Sequence, residues 1–127
     1  MKQEEIKHAI DRYIEAYNNF DIDAMIKVLA PDIRFENVLG GEVNAKTSGK
    51  TEFEILARQS AQLFSSRKQT GKTIKIEGDS AFVEIEFEGI LAHDLPNGLK
   101  AGRTLVLKGT TEFLFTNGFM SSIVDKS

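Results

Sequence analysis

From Lys2 to Asn19 the apolar residues Ile6, Ala9, Ile10, Tyr13, Ala16 and Tyr17 recur at three- and four-residue steps, with Lys, Glu, Asp and Arg between them. That spacing gathers them on one face of a helix and leaves the charges on the other. Asp21 can cap a second helix carrying Ala24, Met25, Val28 and Leu29, and Pro31 closes it, because the residue before a proline resists helical geometry. A strand over roughly 32–39 is expected next, broken by Gly40-Gly41. Glu42 to Lys50 carries no apolar period and is expected to form a polar loop. Thr51 and Glu54 have capping-box spacing ahead of a third helix whose stripe is Phe53, Leu56, Ser60, Leu63 and Phe64. This helix is expected to end near Ser66, with Arg67 and Lys68 at its negative end.

Beyond it the period changes to two. Ile74 and Ile76, then Val83, Ile85 and Phe87, then Leu105 through Phe115 mark strands, and Gly78-Asp79 and Asn117-Gly118 suit short hairpin turns that need positive φ. Ala92 to Gly102, containing Pro96 and Asn97-Gly98, is a long hairpin loop, and loops of that length often close over a site. The order helix, helix, strand, helix and four strands predicts an α+β fold in a single domain over residues 1–127, with three N-terminal helices packed on one face of a curved, antiparallel mixed sheet. Glu84, Glu86 and Glu88 alternate with the inward residues of their strand, as do Lys108, Thr110 and Glu112 of theirs. The outer face is therefore polar and flat, and it can meet water or a second copy of the chain.

Three polar side chains fall where the periodicity asks for apolar ones. Asn37 is in phase with Ile33, Phe35 and Leu39; Tyr13 lies on the stripe of the first helix; Thr111 keeps step with Leu105, Leu107, Phe113 and Phe115. Buried polar groups are costly without partners, so the three either hydrogen-bond one another in a solid core or line a pocket with a bound molecule. A pocket would add Tyr17, Phe35, Phe64, Phe87, Phe113 and Met120 as its walls. The inward strand positions supply no Asp or Glu in this reading. A base must come from the rim, where His93 keeps the inward phase of Leu91 and offers an imidazole, the side chain suited to general-base work, with Asp94 beside it and Asp125 as a further candidate.

Composition narrows the partners. With Lys and Arg at 16 against Asp and Glu at 19, the net charge is -3, and Arg67-Lys68 is the longest basic run, so nucleic acid is not expected. No continuous apolar run marks a signal peptide or a membrane span, which predicts a cytoplasmic protein without a membrane partner. Cysteine is absent and the two histidines are far apart, so neither a disulfide, a metal site nor a cofactor is expected. Gly49-Lys50-Thr51 looks like the end of a phosphate-binding loop, yet Asn44 stands where its first glycine belongs.

The stretches Arg12 to Asp23, Leu29 to Asn37, Ser48 to Thr51 and Phe113 to Gly118 resemble the nuclear transport factor 2-like superfamily, which includes ketosteroid isomerases and SnoaL-like polyketide cyclases. The resemblance implies a cystatin-like cone, an internal cavity and a homodimer through the sheet face. By the same resemblance Tyr13 stands at an oxyanion-hole tyrosine, Asn37 at the isomerases' general-base aspartate and Thr111 at their protonated aspartic acid. Those isomerases depend on carboxyl groups tuned by their surroundings. An amide at position 37 cannot take a proton, so steroid isomerisation is disfavoured. The Asp, Arg, Asp relay of the superfamily's epoxide hydrolases also fails here, since Leu105 follows Arg103 where an acid is needed. Two readings stay open. One is a site for a small apolar molecule bearing a carbonyl or hydroxyl, with Tyr13, Asn37, His93 and Thr111 as its chemical groups; the other is a non-catalytic dimerisation or ligand-binding module.

Overall fold

The computed structural model describes residues 1–127. Three helices, α1 (Gln3–Asn18), α2 (Ile22–Lys27) and α3 (Lys50–Ala61), lie against a six-stranded sheet made of β1 (Leu29–Leu39), β2 (Glu42–Ser48), β3 (Phe64–Glu77), β4 (Ser80–Leu91), β5 (Thr104–Thr116) and β6 (Phe119–Lys126). The strand order is β2-β1-β6-β5-β4-β3, and only the β1–β6 pair is parallel. The α+β arrangement expected from the change of period is thus present, with a mixed sheet. No helix is long and apolar enough to cross a membrane.

The stripe of α1 is buried through Ile6, Ile10, Tyr13 and Ala16, and it meets Ala81, Val83 and Ile85 of β4 together with Phe113 and Phe115 of β5 in one core. Asp21 caps α2, its Oδ1 accepting from the Ala24 N–H at 3.1 Å. Register breaks between Asn37 and Val38, Gly71 and Thr73, and Leu114 and Phe115 bend the strands around the helices. These breaks curve the sheet and leave its concave face partly uncovered beyond α3.

Several boundaries differ from the periodic reading. Glu42–Ser48 is strand β2 and not a loop: Gly40 and Gly41, at φ 60° and 83°, turn the chain back on β1. It is an edge strand, mostly exposed, so no apolar alternation marks it. Pro31 does not close α2, which ends at Lys27; the proline sits inside β1. Helix α3 starts one residue before Thr51, and Glu52, not Glu54, reaches back to the Ser48 N–H at 2.9 Å. It also ends at Ala61, so Phe64, Arg67 and Lys68 belong to β3.

Candidate functional site

Cross-strand register places one row of side chains over the concave face: Ala45 on β2, Asn37 on β1, Asp125 on β6, Thr111 on β5, Val83 on β4 and Ile74 on β3. The row two residues deeper is Phe35, Ile123, Phe113, Ala81 and Ile76; the middle three are buried core residues, and Phe35 and Ile76 pack against them. Because side chains alternate with period two, both rows face the same side. The sheet therefore changes from apolar to polar as it emerges from beneath the helices. A cavity of about 450 Å³ opens at that transition, lined by Tyr17, Phe35, Leu56, Leu63, Phe64, Ile85, Phe87 and Leu107 among apolar side chains, and by Asn37, Gln69, Thr111 and Asp125 among polar ones. At its inner end is a chamber of about 70 Å³, reached by Tyr13, Ser60, Arg67, Gln69 and Asp125.

Asp125 is the centre of this arrangement. The residue is half-buried and lines both chambers. The Thr111 hydroxyl donates to its Oδ1 at 2.7 Å. Burial disfavours the ionised form and pushes the carboxyl from 3.8 up to about 6, with the Thr111 bond pulling the other way. Such a group changes protonation close to neutrality, where a proton-transfer catalyst is most useful. Tyr13 is buried on α1, its ring edge-on to Phe113 at 5.9 Å. Burial first, and the charge of Asp125 second, raise its phenol well above the usual range. It stays an O–H throughout the physiological range and serves as a donor, not a base.

Asn37 adjoins Asp125 across the β1–β6 pair, and its Nδ2 donates to Asn44 Oδ1 at 2.7 Å, the extra residue of the bulge opposite. Tyr17 and Phe64 each meet Phe87 edge-on, at 6.5 and 5.3 Å, and the Phe64 and Phe87 rings close over Gly89, where any side chain would strike both. The wall residues thus come from α1, β1, β3 and β4. Phe113 and Met120, expected in the wall, lie deeper: both are core residues and line neither chamber.

His93 does not join the site. The inward alternation of β4 ends at Leu91, whose N–H donates to the Arg103 carbonyl at 3.0 Å and whose own carbonyl accepts from Gly102, and the chain turns outward there. His93 is exposed, and Asp94 bonds within its own loop, to the Ala101 N–H and to Lys100. No residue of the long loop lines the cavity, so it does not close over the site as its length suggested.

Two contributors are not visible from periodicity. Asp125 contradicts the expectation that no acid points inward, and the signal for it is the two-residue step from buried Ile123. Arg67, expected at a helix end, is a buried β3 residue opposite Gly89, its Nε donating to the Tyr17 carbonyl at 2.9 Å. Its guanidinium carbon lies 3.7 Å from the Tyr17 ring centre and 4.6 Å from that of Phe20. Burial lowers its pKa, but a guanidinium remains a cation. A larger open groove of about 560 Å³ runs between α1 and the β3 bulge, but its ionisable residues are Lys7, Asp11, Glu15 and Lys72, of which Lys7 and Asp11 already pair on the exposed helix surface. No group of three His, Cys, Asp or Glu side chains is placed to hold a metal ion.

The SnoaL-like domain profile matches residues 10–123. The chain belongs to that family. Among solved structures it is similar to TsrD from Streptomyces laurentii (20% identity, 98% of this chain and 89% of that one, TM-score 0.82). It is also similar to a proposed polyketide cyclase from Xanthomonas campestris pv. campestris (22%, 98% and 91%, 0.77) and to an LEH-like epoxide hydrolase of M. tuberculosis (19%, 96% and 81%, 0.76). At these identities the likeness speaks to the fold. No curated protein sequence gives a match.

Proposed function

We propose that this domain binds a small apolar molecule bearing a carbonyl or hydroxyl and moves a proton on it. The observation that carries this is Asp125: a half-buried carboxyl pushed to about 6, hydrogen-bonded to Thr111 and facing a cavity with aromatic walls. Asp125 is the group that takes up and returns the proton. Tyr13 donates a hydrogen bond to the substrate oxygen as negative charge grows on it, and Asn37 orients the substrate at the mouth. The acid–base role that the isomerases give to a residue at position 37 thus moves one strand over, to β6. Relatives whose names speak of cyclisation or epoxide hydrolysis act on small molecules, which favours the same class here.

The test needs no natural substrate. In D2O, the α-protons of 2-tetralone exchange by enolisation, which NMR follows directly. The domain should accelerate this exchange, and Asp125→Asn should remove about 10²–10⁴ of the acceleration, the usual worth of a positioned base. Exchange no faster than in buffer, or an Asp125→Asn variant as fast as the parent, overturns the proposal.

A second reading concerns the outer face of the sheet, which supports a homodimer. Around the charged centre of Glu84, Glu86, Glu88 and Lys108 stand exposed Ile90 and Val106 towards one end and Phe82 and Leu114 towards the other. Apolar ends flanking a charged ladder suit a self-complementary contact. Val106→Asp should convert the dimer to a monomer in light-scattering measurements.

A further inference from the structure

Arg67 is the one buried cation of the fold, and it has no carboxylate partner. Its Nε donates to the Tyr17 carbonyl, while Nη2 is fully enclosed without an acceptor. Buried charges are ordinarily paired, because leaving one unmatched costs several kcal/mol. Here the guanidinium carbon lies within cation–π range of the Tyr17 and Phe20 rings, which stabilises the positive charge while Nη2 stays unpartnered. A charged donor left over in this way suits an oxyanion.

A purely structural role does not account for this. The end of α1 is already fastened to β3 by a reciprocal pair, Asn18 Nδ2 to the Gln69 carbonyl at 3.0 Å and the Gln69 N–H to Asn18 Oδ1 at 2.7 Å. The aromatic contacts and the Nε bond add to that clamp and leave Nη2 without an acceptor. Arg67 lines the inner chamber of about 70 Å³ together with Tyr13, Ser60 and Gln69. With a water taking about 30 Å³ of liquid volume, the space suits a head group of two or three heavy atoms. Tyr13 feels the charges of both Asp125 and Arg67, so its phenol is within electrostatic reach of the acid and of the cation.

We propose that Arg67 is an anion subsite, and that the ligand of this cavity is an apolar molecule carrying a carboxylate, held by Arg67 in the inner chamber with its apolar body among Tyr17, Phe35, Phe64 and Phe87. This rests on the reading that the cavity is a small-molecule site and adds the charge of the ligand to it.

The test compares 2-naphthoate with its neutral isostere 2-naphthamide by isothermal titration calorimetry at low salt. Naphthoate should bind at least tenfold more tightly to the parent protein. Arg67→Gln should bring the two affinities together without weakening naphthamide, with folding checked by circular dichroism. Because that variant removes a stacked side chain, Ser60→Leu serves beside it: it fills the chamber, keeps the Arg67 stack and should abolish the same preference. Equal binding of both probes to the parent overturns the anion subsite and leaves the small-molecule reading standing. Binding of neither overturns both. A naphthoate preference that survives in Arg67→Gln assigns it to a cation other than Arg67, and also overturns the subsite.

Discussion

Replacing Asp125 by Asn should stabilise the protein at neutral pH and leave it unchanged in acid. The folded chain holds this carboxyl protonated up to about 6, whereas an unstructured aspartate releases its proton at 3.8. Between those values the native state binds the extra proton, so stability falls as pH rises through the window and is level above it. The difference of about two units is worth roughly 3 kcal/mol at 1.36 kcal/mol per unit, an upper figure because water in the cavity solvates part of the charge. The amide keeps an oxygen to accept from Thr111 and carries no charge to desolvate. Urea denaturation of both proteins over roughly pH 3.5 to 8 gives the difference curve in which every other titrating group cancels. It should start near zero, rise between about pH 4 and 6.5 and level off at up to about 3 kcal/mol in favour of Asp125→Asn. For a domain of this size that is a gain in Tm of up to roughly 10 °C. A flat difference curve, or a variant less stable than the parent above neutrality, refutes the claim that a buried carboxylate is maintained here at the expense of stability.

Thr111→Val removes the bond that favours the ionised carboxylate, so Asp125 should titrate about one unit higher still, read from its 13C carboxyl shift. Tyr13→Phe keeps the edge-on contact with Phe113 and should alter stability by less than about 1 kcal/mol, yet slow 2-tetralone exchange at least tenfold through loss of the donor. Asn37→Asp sets a second carboxyl beside Asp125 across the β1–β6 pair; the two should titrate as a coupled pair with one step moved above about pH 6, visible in the same carboxyl resonances, and a gain of enone isomerisation would show the isomerase geometry to be competent. Gly109→Ala brings a methyl against the Lys126 carbonyl, a backbone atom with little room to move, and should lower stability by about 1–3 kcal/mol in thermal unfolding.

The helices and the central strands are legible in the sequence because burial there is one-sided: α1 keeps Ile6, Ile10, Tyr13 and Ala16 inward at helical spacing, and β4 keeps Ala81, Val83 and Ile85 inward at spacing two. Strand β2 is not, since an edge strand with most of its side chains in water leaves no alternation to read. The end of α3 is hidden for a different reason: Leu63 and Phe64 happen to continue the helical spacing of Phe53, Leu56 and Ser60 while belonging to the turn and to β3. That coincidence carries Arg67 with it and makes a buried residue look like a solvated helix end. At the other end of the chain, the irregularity between Leu114 and Phe115 breaks the phase that would have linked Met120 to Asp125. Alternation alone turns position 37 inward, but its neighbour on β6 escapes the same reading, because parallel pairing between strands near opposite ends of the chain leaves no local trace.

The two charges at this site explain each other better than either does alone. Asp125 is raised by burial and Arg67 is lowered by burial, and each would be relieved if the other were its ion-pair partner. They are not paired: the acid is bonded to Thr111, the cation to the Tyr17 carbonyl, and Tyr13 feels both. A fold selected for stability alone would join such groups or replace both with apolar residues of similar volume. Keeping them apart, with an aromatic stack holding the cation and one hydroxyl bonding the acid, leaves a gap that a polar, acidic head group can fill while a proton-transferring carboxyl remains free beside it. On this argument the raised carboxyl of Asp125 and the unpartnered Nη2 of Arg67 are one property of the site: an anionic head group should satisfy the second, and its charge should push Asp125 higher still.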